Sequence, residues 1–157
     1  MIDERIANSP NECGLLLVLN GSPYERNKDD VRLDLCQRRA AETGAVVAYV
    51  NMVGGQDELV FDGASFALDR DGALCYQAAS FAERVDLLGY QAGAWLGGTL
   101  GTERTLEAEV YEALKTGVRD YLGKNRFPGA IIGLSGGIDS ALTLAVAVDA
   151  LGADKVR

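Results

Sequence analysis

The chain has 157 residues, 48% of them hydrophobic, and a formal net charge of −8 at pH 7, an acidic balance that argues against binding to nucleic acid or to anionic membrane surfaces. It has no apolar run of the ~18 residues that span a membrane and no signal-peptide character at its start, so a cytoplasmic location is expected. Because it contains no histidine, a zinc site and any Ser-His or Cys-His catalysis are excluded within this chain.

The first fifty residues predict a strand, a helix and a second strand. Residues 14–19 (GLLLVL) form a continuous apolar run, which is typical of a buried strand. Residues 29–43 begin with acids, carry arginines near their end and are followed by Gly44, a pattern that predicts a capped helix. Residues 45–50 (AVVAYV) predict a second buried strand.

An acidic segment and a hairpin follow these elements. Residues 54–63 (GGQDELVFDG) carry a glycine pair and three acids, where a simple connection would need only a few polar residues. This segment is either an acidic surface loop or part of a functional site. Residues 64–69 and 73–77 flank Asp71 and Gly72, which predicts a β-hairpin closed by an Asp-Gly turn.

The second half of the chain begins with a weak pattern and continues with a strong one. Residues 81–102 have no sustained period, and residues 89–101 are rich in glycine, so this stretch is interpreted as a connection between two units. Apolar residues then recur at i+4 intervals over residues 105–124, which predicts an amphipathic helix.

A glycine-rich loop lies between a short apolar strand and an apolar helix. Residues 130–132 (AII) predict a buried parallel strand, and residues 140–151, followed by Gly152, predict a core helix. The loop between them, GLSGGIDS, would lie at the helix N-terminus, where free N–H groups and a partial positive charge favour an anion. It is not a Walker loop, because it has no lysine at the required spacing.

The side chains of this loop suit a nucleotide that arrives with its metal ion. Ser135 and Ser140 can donate hydrogen bonds to phosphate oxygens, whereas Asp139 is unfavourable beside a bare anion and suits an accompanying Mg²⁺. The alternative is a glycine-rich turn with an ordinary Asp or Ser cap. The hexapeptide SGGIDS resembles the pyrophosphate loop of the N-type ATP pyrophosphatases, which split ATP to AMP and pyrophosphate while they adenylate a substrate.

That resemblance assigns the phosphate-binding part of an ATP site to one stretch of the chain, whereas the family's adenine-binding residues and another metal ligand would follow Arg157. The residues that it implies are Gly133, Leu134, Ser135, Gly136, Gly137, Ile138, Asp139 and Ser140. Asp139 is then the expected ligand of Mg²⁺. The loop narrows the reaction class but leaves the substrate open, because several amidotransferases share it.

The first half resembles one particular family that contains this loop. The stretches NGSPYERNK, RRAAETGAVVAYVN and VGGQDELVFDGAS are similar to the C-terminal half of the nitrilase-like glutaminase domain of glutamine-dependent NAD synthetases. In that family the glutaminase releases ammonia from glutamine, and a tunnel carries the ammonia to the synthetase. There, ATP with Mg²⁺ adenylates nicotinic acid adenine dinucleotide, and ammonia displaces AMP to give NAD⁺.

The same resemblance implies a glutamine site in the first half. The positions that match Ser22 and Lys28 hold the substrate glutamine in the family, and a hydroxyl and an ammonium suit its α-carboxylate and α-amine environment. For Lys28, the alternative is a solvated side chain just before a helix.

The implied fold is α/β in two incomplete pieces. Residues 1–88 would be the C-terminal part of a nitrilase-like α/β sandwich, and residues 89–104 a linker. Residues 105–157 would begin a Rossmann-like domain with a parallel sheet, of the adenine nucleotide alpha hydrolase-like type. We therefore expect the chain to be part of a larger enzyme, which is homo-oligomeric in the family. The alternative is a free-standing protein that binds a nucleotide or a partner without catalysis.

No catalytic residue is assigned within the chain. The nucleophilic cysteine, glutamate base and lysine of the family's glutaminase lie before the strand that corresponds to residues 14–19. Cys13, Cys36 and Cys75 do not match the nucleophile's surroundings, so they are interpreted as small apolar residues.

The isolated chain should therefore release no ammonia from glutamine, because no nucleophile of the glutaminase is assigned to it. A coupled ammonia assay on the purified 157-residue chain checks this, with a full-length synthetase as the positive control. Ammonia release that disappears when any one of the three cysteines is replaced by alanine would contradict the expectation.

Overall fold

The computed structural model describes residues 14–26, 28–101 and 104–157, and only the backbone of Lys28 and Asp29. Its elements, in chain order, are β1 (Leu15–Asn20), α1 (Lys28–Thr43), β2 (Val46–Asn51), β3 (Val53–Gln56), β4 (Leu59–Asp62), β5 (Phe66–Leu68), β6 (Leu74–Gln77), β7 (Gly89–Gln91), β8 (Ala94–Leu96), α2 (Leu106–Lys124), α3 (Ile138–Leu151) and a short 3-10 helix (Ala153–Lys155). Within this described part, no helix is both long enough and apolar enough to cross a membrane.

A four-stranded sheet in the order β1-β2-β5-β6 forms the centre of the first half. β1 and β2 are parallel and are connected by α1, while β2 pairs with β5, and β5 with β6, in antiparallel orientation. The predicted hairpin is confirmed, with Gly72 at a φ of 82° in its turn. The sheet thus combines the predicted β-α-β unit with an antiparallel extension.

The core lies between α1 and one face of this sheet. Apolar residues one turn apart on α1, Cys36 and Ala40, pack against side chains of β2 and β5. The rings of Tyr49 and Phe66 stack with their centroids 4.8 Å apart. The i, i+4 spacing on the helix and the alternation along the strands therefore produce one continuous apolar layer.

β1 is only half-buried, so the prediction of a fully buried strand was wrong in that respect. Leu16 and Val18 pack against the core. Leu17 and Leu19 on the other face are 64% and 81% exposed. The physical reason is that β1 lies at the edge of the sheet and α1 covers only one of its faces.

The acidic segment at residues 54–63 folds mainly as a hairpin, β3–β4, that packs against α2. The amide of Gly55 donates to Asp120 Oδ2 at 2.7 Å, and Lys124 Nζ donates to the Gly55 carbonyl at 2.5 Å. A Cβ at Gly55 would lie 3.1 Å from the Cβ of Asp120. The glycine pair therefore allows a helix and a hairpin to approach closely, and the exposed acids Asp57 and Glu58 lie in the turn.

The stretch interpreted as a connection contains a second small hairpin, β7–β8. Trp95 Nε1 donates to the carbonyl of Leu68 at 2.9 Å, and the Trp95 ring packs near Ala67 and Tyr76. The amide of Gln77 donates to the Thr99 carbonyl at 3.0 Å. Residues 89–99 thus pack on the first half, although the proposed division of the chain at residues 88 and 104 remains a prediction.

The last two helices pack against each other, and both are partly exposed. The Tyr111 hydroxyl donates to Asp149 Oδ2 at 2.7 Å between them. On α3 the buried residues are Val146 and Ala147, whereas Leu142 is 52% exposed. The helix predicted at residues 140–151 is therefore confirmed as α3. Its description as a core helix was wrong, because α2 covers only part of its apolar surface.

Gly55→Val should lower the free energy of unfolding by about 1–3 kcal/mol, since the branched side chain would force the hairpin away from Asp120. Urea denaturation of the 157-residue chain measures the change. Gly123→Ala is the matched control, because a Cβ at Gly123 meets nothing within 4 Å and should cause no loss of stability. Unchanged stability in Gly55→Val would show that the close contact between Gly55 and α2 does not contribute to the stability of the fold.

Candidate functional site

The predicted phosphate loop forms the entry to α3. Gly137 is the N-cap residue of this helix, and a Cβ there would meet only Ser135 Oγ, at 3.8 Å. Gly136 has a φ of 86°, a conformation that glycine adopts readily and other residues rarely do. The glycines therefore serve the turn and keep its surface clear of side chains.

Backbone amides at this helix start are available as donors. The N–H groups of residues 136–140 make no hydrogen bond to any part of the chain that the structure describes. All but Ser140 belong to exposed residues, and Ser140 is half-exposed. Since unpaired N–H groups and the helix dipole both favour negative charge, this end of α3 has the properties of an anion site.

The side chains of the two serines of the loop lie together. Their hydroxyl oxygens are 3.1 Å apart, and the amide of Ser135 donates to Ser140 Oγ at 3.3 Å. Ser140 Oγ in turn donates to the Gly137 carbonyl at 2.9 Å. Both hydroxyls thus face the same small region of the loop.

Asp139 lies in the first turn of α3 with an exposed side chain. Its carbonyl accepts a hydrogen bond from Thr143 Oγ1 at 2.8 Å, which supports the helix rather than a ligand. Among the described residues, no group of three or more Cys, Asp or Glu side chains could hold a metal ion. A single carboxylate fits Mg²⁺ only as a partner of phosphate oxygens and water, which is how this ion is often bound beside nucleotides.

The prediction of a buried strand at residues 130–132 was wrong, because these residues form only an isolated parallel bridge, between Ala130 and Val156, and are not buried. Ala130 N donates to the Lys155 carbonyl at 2.9 Å, and Ile132 N donates to the Arg157 carbonyl at 2.7 Å. Ile131 is nevertheless 89% exposed. The pairing involves a single neighbour, residues 155–157, so within the described structure this segment is not part of a larger sheet.

Ser22 lies in the loop that follows β1, beside the end of β2. Its amide donates to Asn51 Oδ1 at 2.9 Å, and Asn51 Nδ2 donates back to its carbonyl at 3.2 Å. This double contact with a buried side chain fixes the Ser22 backbone. For Lys28, the backbone begins α1, but its side chain lies outside the described residues, so its predicted role remains a prediction.

Next to Ser22 lies a buried ion pair, Arg32–Asp62, which the sequence analysis did not predict. Arg32 donates from Nη1 to Asp62 Oδ2 at 2.7 Å and from Nη2 to Asp62 Oδ1 at 3.0 Å. Arg32 is 7% exposed and Asp62 is 1% exposed. One signal was present: Arg32 precedes Cys36 and Ala40 at i+4 spacing, which places a charged residue on the apolar face of α1.

The same guanidinium holds the Ser22 loop. Arg32 Nε donates to Ser22 Oγ at 3.1 Å, and Nη2 donates to the carbonyls of Ser22 at 3.1 Å and Pro23 at 2.9 Å. Arg32 therefore connects α1 both to β4 and to the loop after β1.

The described cysteines are poorly suited to nucleophilic chemistry. Burial raises the pKa of the Cys36 thiol to about 11. Burial, followed by the charge of Asp69, also raises the pKa of Cys75. Since the thiolate is the nucleophile, both environments favour the inert form. Cys13 lies outside the described residues.

Asp62→Ala should lower the free energy of unfolding by about 3–5 kcal/mol, because it leaves the buried Arg32 charge without its partner. Asp34→Ala is the control, since the Asp34–Arg38 pair, on the helix α1 that also carries Arg32, is exposed and should contribute little to stability. Denaturant unfolding of the two variants provides the comparison. Similar losses for both would contradict a special role of the buried pair.

The amino-acid sequence of the chain is similar to known NAD synthetases. Residues 110–157 match the family model described as NAD synthase. The chain is 49% identical over 154 residues to the glutamine-dependent NAD(+) synthetase of Xylella fastidiosa (strain Temecula1), an alignment that covers 92% of this chain and 28% of that protein. It is 43% identical over 144 residues to the synthetase of Acinetobacter baylyi, covering 90% and 27% of the two chains.

Solved structures of glutamine-dependent NAD+ synthetases also resemble this chain in fold. The glutamine-dependent NAD+ synthetase from Acinetobacter baumannii, in complex with ADP, superposes with a TM-score of 0.86 and 43% identity over 91% of this chain and 28% of that one. The synthetase from Cytophaga hutchinsonii, at 24% identity over 88% of this chain and 24% of that one, has a TM-score of 0.65 and supports the fold alone. The predicted α/β fold class is confirmed. The chain spans less than a third of the length of these relatives. About nine tenths of the chain itself is homologous to the glutamine-dependent NAD(+) synthetases.

Proposed function

We propose that the chain is part of an enzyme that converts nicotinic acid adenine dinucleotide to NAD⁺, using ATP and ammonia from glutamine. The observation that carries the proposal is the set of unpaired amides at residues 136–140, which lie within the region that matches the NAD synthase family model. The ADP bound to the Acinetobacter baumannii relative supports a nucleotide as the ligand.

The proposed ATP site consists of backbone and side-chain donors around the start of α3. The amides of residues 136–140 and the hydroxyls of Ser135 and Ser140 would bind the pyrophosphate oxygens, while Gly133 and Leu134 lead into the turn. Asp139 would be the protein ligand of Mg²⁺. A magnesium ion held there would neutralise charge that develops on the pyrophosphate leaving group.

The proposed glutamine site lies in the first half of the chain. Ser22, fixed by Asn51 and Arg32, would bind the substrate amino acid, with Lys28 contributing from the start of α1. In this proposal residues 1–88 belong to the glutaminase, residues 89–104 connect, and residues 105–157 begin the synthetase. The full-length enzyme is proposed to be a homo-oligomer in the cytoplasm.

Nucleotide binding without catalysis is the competing function, and it would use the same loop. The distinguishing measurement is therefore release of pyrophosphate rather than binding alone. A suitable enzyme is a full-length chimera in which this chain replaces the matching segment of the Xylella fastidiosa synthetase.

Gly137→Val and Asp139→Asn in this chimera should weaken ATP binding for different physical reasons. A valine side chain would occupy space needed by phosphate, with or without the metal. Asparagine would keep the shape of Asp139 but remove its charge, so affinity should fall about tenfold to a hundredfold with Mg²⁺ and little in EDTA. Calorimetric titration with ATP and pyrophosphate release assays measure both effects.

Asp149→Asn controls for loss of a carboxylate elsewhere on α3, where the side chain only accepts a bond from Tyr111. It should leave ATP affinity and pyrophosphate release unchanged. Normal Mg²⁺-dependent pyrophosphate release in both loop variants would eliminate the assignment of the phosphate loop.

A further inference from the structure

We propose that Arg32 is a positioning residue that orients the Ser22 hydroxyl as a hydrogen-bond donor to the substrate glutamine. The inference rests on the proposed role of Ser22 in glutamine binding. It assigns a function to a buried side chain that neither the motif nor the family resemblance singled out.

The direction of the Arg32–Ser22 bond follows from the chemistry of the guanidinium. Arg32 Nε lies 3.1 Å from Ser22 Oγ, and arginine has donors but no acceptor. Ser22 Oγ must therefore accept this bond, and its own hydrogen is directed away from Arg32. Within the described chain this hydroxyl already bonds the side chain of Tyr49. An acceptor such as the α-carboxylate of an amino acid would take over that O–H on binding.

Asp62 keeps the guanidinium in the required orientation. Its carboxylate accepts two bonds from Arg32, at 2.7 Å and 3.0 Å, in the fork geometry that arginine and carboxylate share. The Asp62 carbonyl accepts a bond from the amide of Phe81 at 2.7 Å, which anchors the end of β4. The planar group can then direct Nε at the serine, because both of its other nitrogens are already engaged.

The Ser22 backbone has an independent support, so Arg32 acts mainly on the side chain. Asn51, itself 6% exposed, bonds both the amide and the carbonyl of Ser22. Loss of the guanidinium would therefore release the hydroxyl while the loop stays attached to β2. Lysine at this position could pair with Asp62 but could not reproduce the planar fork that also reaches Ser22.

The test compares Ser22→Ala and Arg32→Lys in the full-length chimera, with Arg38→Lys as the control on the exposed face of α1. NAD⁺ formation is measured once with glutamine and once with added ammonia, which bypasses the glutamine site. We expect both site variants to raise the glutamine KM about threefold to tenfold. Ammonia-driven synthesis should stay normal, and combining the two substitutions should be no worse than Ser22→Ala alone, because both remove the same interaction.

An uncharged replacement of the pair separates positioning from folding. Arg32→Met combined with Asp62→Leu exchanges the two charged side chains for apolar ones, a change that often preserves stability. It should raise the glutamine KM as Arg32→Lys does, while the midpoint of thermal unfolding stays near that of the parent chimera. This apolar double variant decides the question if Arg32→Lys does not fold.

Each remaining outcome is decisive. A raised glutamine KM in Ser22→Ala but not in the Arg32 variants would overturn the positioning role and leave the proposed glutamine site intact. An equal loss of glutamine-driven and ammonia-driven synthesis in the Arg32 variants would make the pair purely structural. A normal glutamine KM in Ser22→Ala would reject the proposed glutamine contact and this inference with it.

Discussion

The buried pair of Arg32 and Asp62 is the constraint on which the first half depends. A guanidinium can leave water only where its donors are satisfied, and here five hydrogen bonds to Asp62, Ser22 and Pro23 satisfy them. These bonds fix the face that α1 presents, the position of the loop after β1 and the end of β4. The apolar layer around Val47 and Leu68 then packs against a helix whose rotation is already determined.

The second constraint is the close approach of α2 to the β3–β4 hairpin. Thr116, which is 1% exposed, and Gly117 lie against Gly55, in the space left by its missing side chain. Asp120 and Lys124 bond the two sides of the Gly55 peptide. Because α2 also packs against α3, this contact connects the region around Ser22 with the helix that carries the phosphate loop. The relative position of the two proposed sites thus depends on a close contact between the hairpin backbone and α2, to which Asp120 and Lys124 add hydrogen bonds.

Local features of the fold could be predicted from the sequence, whereas long-range ones could not. The β-α-β unit, the Asp-Gly hairpin and the loop before α3 follow from apolar runs, glycines and caps within a few residues of each other. Burial of residues 14–19 and 130–132 was overestimated, because an apolar run does not specify how many neighbours cover it. The Arg32–Asp62 pair spans 30 residues and the Gly55–Asp120 bond spans 65, so neither had a short-range signature beyond one arginine on an apolar helix face.

The open side of β1 has a consequence for how the isolated chain behaves in solution. In the described sheet β1 has a single neighbour, and Leu17 and Leu19 project from its uncovered face. A strand at the edge of a sheet with exposed apolar side chains can pair with a second copy. Repulsion between chains of net charge −8 opposes that association. Since salt screens this repulsion over about 10 Å at 0.1 M, association of the isolated chain through β1 should increase with ionic strength.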